Sequence, residues 1–367
     1  MAGAPILEAR DFVVVRNGKE LVRVERFAVQ PGEVHVLLGP NGAGKSTLLR
    51  ALNGLEEATG QLFFDGAPLR NGGDRRRLRR RTAAVFQRPH LLSTTVRGNV
   101  ESGLRLRGVT GAELRRRTSA SLSLLGIADL AERRRDGLSG GEAQRVSIAR
   151  ALAVDPAVVF FDEPLASLDP PTRRSLTADL QSIFAQLATA VLWVTHDTEE
   201  ALAVADRVTF LSGGRVLQEG PRAEVFNRPA TPEVADYLGV DVWLEGTLES
   251  GDVGTARFVL AGGASLVCPE APPGPAFACI HPEDVVLFLS PPREGSTSLR
   301  NMIPATVSEI RPQARSRLIV LEWQGGRLQA LVTRAACEEL DLARHSTVYA
   351  AIKAMAVHVV PRGRLQA

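Results

Sequence analysis

The chain has 367 residues, 44% of them hydrophobic, and a formal net charge of +3. Its length predicts two or three domains with cores of their own, and no apolar stretch reaches the roughly 18–20 residues of a membrane span. The small net charge does not by itself indicate a nucleic-acid partner. The three cysteines, Cys268, Cys279 and Cys337, lack metal-ligand spacing and are predicted to be buried, reduced thiols of a cytoplasmic protein.

A phosphate-binding loop is predicted near the N-terminus. The pattern G-x-x-x-x-G-K-[ST] begins at Gly39, and the backbone N–H groups of such a loop wrap the phosphates of a nucleotide. An apolar strand at 34–38 precedes the loop and a helix-like run at 47–52 follows it, which is the setting that the motif requires. The predicted phosphate-binding residues are Gly39, Pro40, Asn41, Gly42, Ala43, Gly44, Lys45, Ser46 and Thr47.

Three further predicted strands, at 83–86, 158–161 and 190–194, end in polar residues. The residues that follow them are Gln87, Asp162, Glu163 and His196. Because parallel strands end at one edge of a sheet, we expect these side chains to lie beside the phosphate loop and to face one γ-phosphate.

Two carboxylates at one strand end suggest a division of labour. We expect Asp162 to hold Mg²⁺ through water, alongside the Ser46 hydroxyl, and Glu163 to polarise the attacking water. The alternative for the two acids is a helix N-cap, which Pro164 and the loop after it disfavour. For His196 the alternative is a purely structural role, which is disfavoured because the residue lies at the C-terminal end of a predicted core strand.

A second anion-binding element is predicted at 138–145, with the sequence Leu-Ser-Gly-Gly-Glu-Ala-Gln-Arg. Ser139 and Glu142 fit a capping box, with the serine as N-cap. Gly140 and Gly141 leave the first helical N–H groups open to an anion, next to the positive end of the helix. One phosphate loop does not need a second such site on its own chain. We therefore expect the serine and the two glycines to cap the γ-phosphate of ATP bound to a second copy.

The order of these motifs is similar to that of ABC-type ATPase cassettes, over roughly residues 6–220. The resemblance implies an α/β P-loop NTPase fold, in which a helical subdomain at about 88–156 interrupts a RecA-like core and Gln87 lies at the hinge. It also implies a head-to-tail homodimer with ATP and Mg²⁺ at the interface. In that arrangement Gln87 joins Ser46 and Asp162 as a metal ligand, and Asp169 belongs to the nucleotide site.

The chain departs from similar cassettes at the adenine position. They usually place an aromatic residue some way before the phosphate loop, whereas that position falls here near Val15 and Arg16. Either the guanidinium plane of Arg16 stacks on the base, or Phe12 takes its place after a change of register.

Arginine runs occur at 75–77, 79–81, 115–117 and 133–135. Each is interpreted first as solvated surface. Contact with anionic lipid headgroups is the alternative, and nucleic-acid binding is less favoured because no aromatic residues accompany the charge.

After a predicted linker at 221–240 the pattern changes to short β-type runs with Gly and Pro between them. This third part, 241–367, contains an internal repeat that predicts two five-stranded barrels of the OB type in tandem, hence an all-β domain. The repeated stretches are 247–249, 257–263 and 280–285 in the first copy and 306–308, 318–326 and 352–357 in the second.

The second copy resembles the oxyanion-binding barrel of molybdate importer ATPases, in the stretches 297–301, 325–330 and 351–354. The resemblance implies an oxyanion at a barrel interface, and the suitable donors in this chain are Ser298, Arg300, Asn301 and Lys353. Met355 stands where the family usually has serine, and methionine cannot donate a hydrogen bond. An anion sensor and a dimerisation barrel without ligand both remain open.

Together these resemblances imply the ATP-hydrolysing subunit of an importer for molybdate or tungstate, peripheral on the cytoplasmic face of the membrane. The expected partners are a second copy of the chain, separately encoded permease subunits and, indirectly, a periplasmic or extracellular solute-binding protein; nucleic acid is not expected. One alternative is an importer ATPase for sulfate, ferric iron, a polyamine or a sugar. The other is a soluble ABC ATPase without a role in transport.

Overall fold

The computed structural model describes residues 4–239, 243–252, 254–293, 295–313 and 316–361. The chain divides into two compact units, Met1–Asn227 and Arg228–Ala367. The first unit therefore includes residues 221–227 of the predicted linker, whereas the predicted boundary at 240–241 lies outside the described residues. Within those residues, no helix has the length and apolar character needed to cross a membrane.

Ten strands of the described part of the first unit form one sheet, in the order β5-β4-β1-β2-β10-β9-β3-β8-β7-β6. The strands are β1 Leu7–Arg16, β2 Lys19–Val29, β3 Val34–Leu38, β4 Thr59–Phe64, β5 Ala67–Pro68, β6 Thr82–Phe86, β7 Val158–Asp162, β8 Ala190–Val194, β9 Arg207–Ser212 and β10 Arg215–Pro221. From β9 through β6 the strands are parallel, and all five residues of β3, β7 and β8 are buried. Such continuous apolar runs are typical of central parallel strands covered on both faces.

Eight helices accompany the described part of this sheet. They are α1 Lys45–Leu52, α2 Gly72–Arg81, α3 Val96–Leu106, α4 Gly111–Leu124, α5 Gly140–Leu152, α6 Pro170–Phe184, α7 Thr198–Val204 and α8 Arg222–Asn227. Helix α1 packs on β1, β2, β7 and β8, while α3 packs on α4 and α5. The α3–α5 group lies within the predicted helical subdomain, and the chain returns from it directly to β7. The insertion thus leaves the order of the parallel strands intact.

The core under the phosphate loop is formed by large apolar side chains from β2, β3, β4, β7 and α1. Among its fully buried members are Phe27, Leu37, Leu48, Phe64 and Phe160. Burying each such side chain contributes about 1.5–3 kcal/mol relative to leaving it in water. The loop is therefore anchored at both ends, by β3 before it and by α1 after it, in closely packed apolar material.

The second unit is built from two five-stranded antiparallel sheets among its described residues, besides the short helices α9 Pro232–Tyr237 and α10 Arg334–Glu339. The first repeat contains β11 Trp243–Ser250, β12 Thr255–Leu260, β13 Ser265–Pro269, β14 Gly274–Cys279 and β15 Val285–Phe288. The second repeat contains β16 Asn301–Pro312, β17 Ser316–Trp323, β18 Gly326–Thr333, β19 Thr347–Ile352 and β20 His358–Pro361. The predicted all-β, barrel-forming character of this region is confirmed.

Each repeat gives its last strand to the sheet of the other repeat. The sheets run β13-β12-β11-β14-β20 and β15-β19-β16-β17-β18, so β20 pairs with β14 and β15 pairs with β19. Buried residues of both repeats form one continuous core, which includes Phe258, Leu266, Ile319 and Leu328. The sequence repeat predicts two barrels in tandem, and the structure adds that neither sheet is complete without the other repeat.

Candidate nucleotide-binding and hydrolysis site

The phosphate loop follows β3 and leads into α1, as the motif predicts. Its glycines are required by close packing: a Cβ on Gly39 (φ 147°) would lie 2.0 Å from the Leu211 carbonyl oxygen. A Cβ on Gly44 (φ 98°) would lie 2.4 Å from Cγ2 of Val22. The loop lines a cleft of about 190 Å³, which also includes Leu21 and Glu163. The loop is thus held in a shape that only glycine permits at these two positions.

Lys45 is the first residue of α1, and its side chain is buried in the loop. Its Nζ donates to the carbonyl oxygens of Gly39 at 2.7 Å and Pro40 at 2.9 Å. Burial lowers the pKa of Lys45, and the nearby carboxylates of Glu163 and Asp162 oppose that shift. An ammonium has three N–H donors, so one remains for a phosphate oxygen in the cleft.

The Ser46 hydroxyl and the Asp162 carboxylate meet, as the strand-end argument predicts. Ser46 Oγ donates to Asp162 Oδ1 at 2.5 Å, and Arg50 Nε lies 3.7 Å from Asp162 Oδ2. Within the described residues no group of three or more His, Cys, Asp or Glu is placed to hold a metal ion. Mg²⁺ does not need one, because it is commonly bound by one or two carboxylates together with substrate phosphates and water. A hydroxyl and a carboxylate in contact beside the phosphate loop fit that requirement.

Glu163 and His196 also come together, from the ends of the adjacent strands β7 and β8. The Glu163 carboxylate oxygen Oε2 lies 3.2 Å from His196 Nδ1, and Glu163 N donates to Val194 O at 3.0 Å. Glu163 adopts a left-handed backbone conformation with φ 47°, which costs a non-glycine residue about 1–3 kcal/mol and tends to persist at functional sites. The carboxylate therefore lines the cleft in a fixed position next to an imidazole.

Gln87 follows β6, whose last residue, Phe86, is in register with Asp162. It therefore lies at the predicted edge of the sheet. Its backbone oxygen accepts a hydrogen bond from Ser167 Oγ at 3.3 Å, and the residue is exposed. Its predicted role as a metal ligand stays a prediction, because the observed contact uses the main chain.

The predicted capping box at the start of α5 is present. The Ser139 hydroxyl accepts from Glu142 N at 3.3 Å, and the Glu142 carboxylate accepts from Ser139 N at 2.7 Å. Gly140 and Gly141 are the first two residues of the helix. Among the described residues that line the cleft around Lys45, none comes from this run. Within one chain, the predicted second anion-binding element thus does not line this cleft.

Comparison with known proteins identifies the family. The sequence model of the family described as ABC transporter matches residues 23–166, and that of the family described as TOBE domain matches residues 297–359. A molybdate/tungstate import ATP-binding protein of Pyrococcus horikoshii is 34% identical over 340 residues, covering 91% of this chain and 94% of the relative. The chain belongs to the ATP-binding subunits of ABC importers. These subunits are ATPases, so ATP is the substrate of this chain.

Two other similar proteins extend the comparison. A spermidine/putrescine import ATP-binding protein of Frankia alni is 38% identical over 310 residues, which are 79% of this chain and 66% of that protein. The solved structure of cbiO1 from Clostridium perfringens, part of the ABC transporter complex cbiONQ, aligns with a TM-score of 0.58 and 30% identity. That alignment covers 65% of this chain and 96% of the other. The predicted ABC cassette fold is thereby confirmed.

Asp169 is the N-cap of α6 in this ABC subunit. Its carboxylate accepts from Thr172 N at 3.1 Å, and hydrogen bonds from Thr172 lower the pKa of Asp169. The cap fixes the first turn of α6, and the role in nucleotide binding implied by the resemblance stays a prediction.

Sequence reasoning missed two arginines that contact residues at or next to the predicted site. Arg50 lies beside Asp162. Arg173, on α6, contacts the segment after His196. No local motif marks either arginine, because each finds its partner across the sheet edge in space. The only signal in the sequence was the position of each arginine, about one turn into a helix that begins after a loop at a strand end.

The segment where the adenine is expected, near Val15 and Arg16, contains no aromatic side chain. Phe12 is in register with Val24 and only 4% exposed, so the alternative in which it stacks on the base is wrong. Val15 is half-exposed, and Arg16 forms an ion pair with Glu56, which also lies 3.6 Å from Arg50. The guanidinium of Arg16 is therefore held by a carboxylate at the place where the base is expected.

An aromatic side chain at position 16 is expected to strengthen nucleotide binding. Stacking of a base on an aromatic ring contributes about 1–3 kcal/mol, so Arg16→Tyr should lower the Kd for ATP by about tenfold. Titration with a fluorescent ATP analogue measures the change, and Arg16→Ala is the control that removes the ion pair without adding a ring. Equal affinities of the two variants would show that position 16 does not face the base.

The residues predicted to bind an oxyanion are divided in the structure. Ser298, Arg300 and Lys353 are exposed. Asn301 is buried: its Nδ2 donates to Val267 O at 2.9 Å and Ile352 O at 3.4 Å, and its Oδ1 accepts from Val267 N at 2.6 Å. Both amide hydrogens thus form hydrogen bonds to neighbouring strands, so the prediction that the Asn301 side chain donates to an oxyanion is wrong.

Proposed function

We propose that this chain works as a homodimer that hydrolyses ATP at two shared sites and powers the import of molybdate or tungstate. The observation that carries the ATPase part is the convergence of Lys45, Ser46, Asp162 and Glu163 on one cleft. The placement of residues 139–141 outside that cleft supports a second copy as the source of the γ-phosphate cap.

Each group at the cleft has a distinct task in the proposed hydrolysis. The loop N–H groups and Lys45 bind and orient the phosphates, while Ser46, Asp162 and Gln87 are the proposed ligands of Mg²⁺. Bound there, Mg²⁺ would neutralise charge on the phosphate oxygens. Glu163 accepts the proton of the water that attacks the γ-phosphorus, and the bond to the ADP oxygen breaks. His196, in contact with Glu163, holds that carboxylate in position.

An apolar groove on the first unit supports membrane subunits as partners. It has a volume of about 350 Å³ and is lined by residues of β6, α3 and α5. Leu92, which precedes α3, and Leu106, at its end, are among the lining residues. These two leucines are 50% and 90% exposed, and exposed apolar patches commonly mark interaction sites. We place a cytoplasmic segment of the permease in this groove, and the subunit on the cytoplasmic face of the membrane. A solute-binding protein acts through the permease, without touching this chain.

The transported solute is inferred from the relative that matches along almost the whole chain, whose name states molybdate/tungstate import. A polyamine is the alternative, since the Frankia alni relative is named for spermidine and putrescine. Relatives named for Fe(3+) import and for sulfate/thiosulfate import also align with this chain over most of their own length.

Uptake of radiolabelled molybdate should be lost in cells that lack this chain and restored by the wild-type chain. Because transport requires hydrolysis, the Glu163→Gln variant should not restore it. Excess tungstate should compete, whereas sulfate and spermidine should not. Normal molybdate uptake without the chain, together with a loss of spermidine or sulfate uptake, would transfer the assignment to that solute.

A further inference from the structure

Arg173 lies on α6 and contacts two segments that border the hydrolysis site. Its Nη1 lies 3.1 Å from Asp197 Oδ2, and its Nη2 donates to Leu168 O at 3.2 Å. Its Nε lies 3.9 Å from Glu200 Oε1. Leu168 directly precedes Asp169, and Asp197 directly follows His196. One guanidinium therefore joins the loop before α6 to the loop before α7.

Both loops are fastened to their own helices as well. The Asp197 carboxylate caps α7 by accepting from Glu199 N at 2.9 Å and Glu200 N at 3.1 Å. Thr195 Oγ1 accepts from Asp197 N at 3.0 Å and donates to Glu200 Oε2 at 2.9 Å. The segment 195–197, which includes His196, is thus bonded on both sides of the histidine. A change at Asp197 or Glu200 would therefore be expected to move the backbone that carries the imidazole.

The charges around Arg173 make its guanidinium difficult to replace. Glu200 is buried, and burial raises the pKa of its carboxyl group. Hydrogen bonds from Thr195 and Trp193 oppose that shift, and so does the positive charge of Arg173. Removal of Arg173 would leave the neighbouring carboxylates of Asp197 and Glu200 without the positive charge of the guanidinium between them. A planar guanidinium can reach two carboxylates and a carbonyl in different directions at once, whereas an ammonium is a single point charge.

We propose that Arg173 is a positioning residue for ATP hydrolysis: it fixes His196, and through it Glu163, relative to the Leu168–Asp169 loop. The proposal deepens the proposed function, since it rests on Glu163 as the proton acceptor. The link from histidine to base is the contact of 3.2 Å between His196 Nδ1 and Glu163 Oε2. If the proposed homodimer brings the Leu168–Asp169 loop to its interface, the same guanidinium also couples dimer closure to the base.

The kinetic consequence follows from which elements Arg173 does and does not contact. None of its described contacts involves the phosphate loop, so ATP binding should be preserved. Misplacement of a catalytic group by about 1 Å can cost roughly 100-fold in rate. Arg173→Ala should therefore lower kcat between about 10- and 100-fold at an unchanged KM for ATP, and Arg173→Lys should recover part of the loss.

The test compares the full-length variants Arg173→Ala, Arg173→Lys and Arg174→Ala. Arg174 is the next residue on the same helix and is exposed, so its alanine variant is the matched control and should keep wild-type kcat. Steady-state ATPase assays give kcat and KM, and urea unfolding gives the stability of each variant. Asp197→Asn, which keeps the cap acceptor but removes the charge, should lower kcat in the same direction and should not add fully to Arg173→Lys.

Three outcomes would overturn the proposal. They are wild-type kcat in a folded Arg173→Ala, a rise in KM without a change in kcat, and full additivity of Arg173→Lys with Asp197→Asn. Should Arg173→Ala fail to fold, the lysine and asparagine variants decide by the same criteria. Undiminished hydrolysis by Glu163→Gln would instead contradict the proposed function, which keeps the two failures distinguishable.

Discussion

Glu163→Gln is expected to reduce the turnover of ATP by about 10²–10⁴-fold, which is the usual contribution of a general base. The amide keeps the size of the side chain but cannot accept the proton of the attacking water. Binding should persist, because Lys45 and the loop backbone hold the phosphates independently of residue 163. Phosphate release under saturating ATP measures the loss, and equilibrium binding of labelled ATP measures what is retained.

The same variant should accumulate as an ATP-bound dimer, since the step that reopens the interface is blocked. Size-exclusion chromatography with and without ATP would show the shift to the larger species. Glu199→Gln is the matched control: Glu199 is an exposed acid close to the site, and its amide variant should hydrolyse ATP at the wild-type rate. Full activity in Glu163→Gln would remove Glu163 from the proposed mechanism.

Mixing two inactive variants is expected to restore hydrolysis if each site is shared between two chains. Lys45→Ala disables the phosphate loop, and Ser139→Arg places a bulky cation where the partner's γ-phosphate is to be capped. In a heterodimer one site carries both lesions and the other carries none. With random pairing of equal amounts, about a quarter of the wild-type activity should return, given two equivalent sites in a symmetric dimer.

This complementation assay has a built-in control. Each parent alone should stay inactive, because both of its sites carry one lesion. Two different affinity tags, purified in sequence, would demonstrate that heterodimers form. A mixture that contains heterodimers and remains as inactive as its parents would mean that the sites are not shared, or that one intact site cannot work alone.

Local sequence was sufficient wherever the chemistry depends on neighbours in the chain. The spacing from Gly39 to Ser46 fixes the phosphate loop, and the three-residue interval from Ser139 to Glu142 fixes the capping box. The meeting of Glu163 with His196 was predictable for a different reason: parallel strands end at one edge, so residues that follow them converge without any need to know side-chain packing.

Contacts between distant residues could not be predicted in this way. Nothing near Arg173 in the sequence indicates Asp197, and nothing near Arg16 indicates Glu56, since packing of helices and loops decides both pairs. Asn301 shows the converse, because a polar residue in a promising stretch is occupied by Val267 and Ile352 once the strands assemble. The exchange of β15 and β20 was also hidden, because either strand could pair with the sheet of its own repeat without altering the hydrophobic pattern.

That exchange has a consequence for how the chain folds during synthesis. Strand β14 is at the edge of its sheet until residues 358–361 arrive, although β11, its other partner, is finished much earlier. An edge with unpaired N–H and C=O groups can be joined by the wrong strand, and pairings between residues far apart in sequence form slowly. The first repeat is therefore expected to leave the ribosome open-edged and vulnerable to mispairing, and to close only when the last strand of the second repeat has emerged.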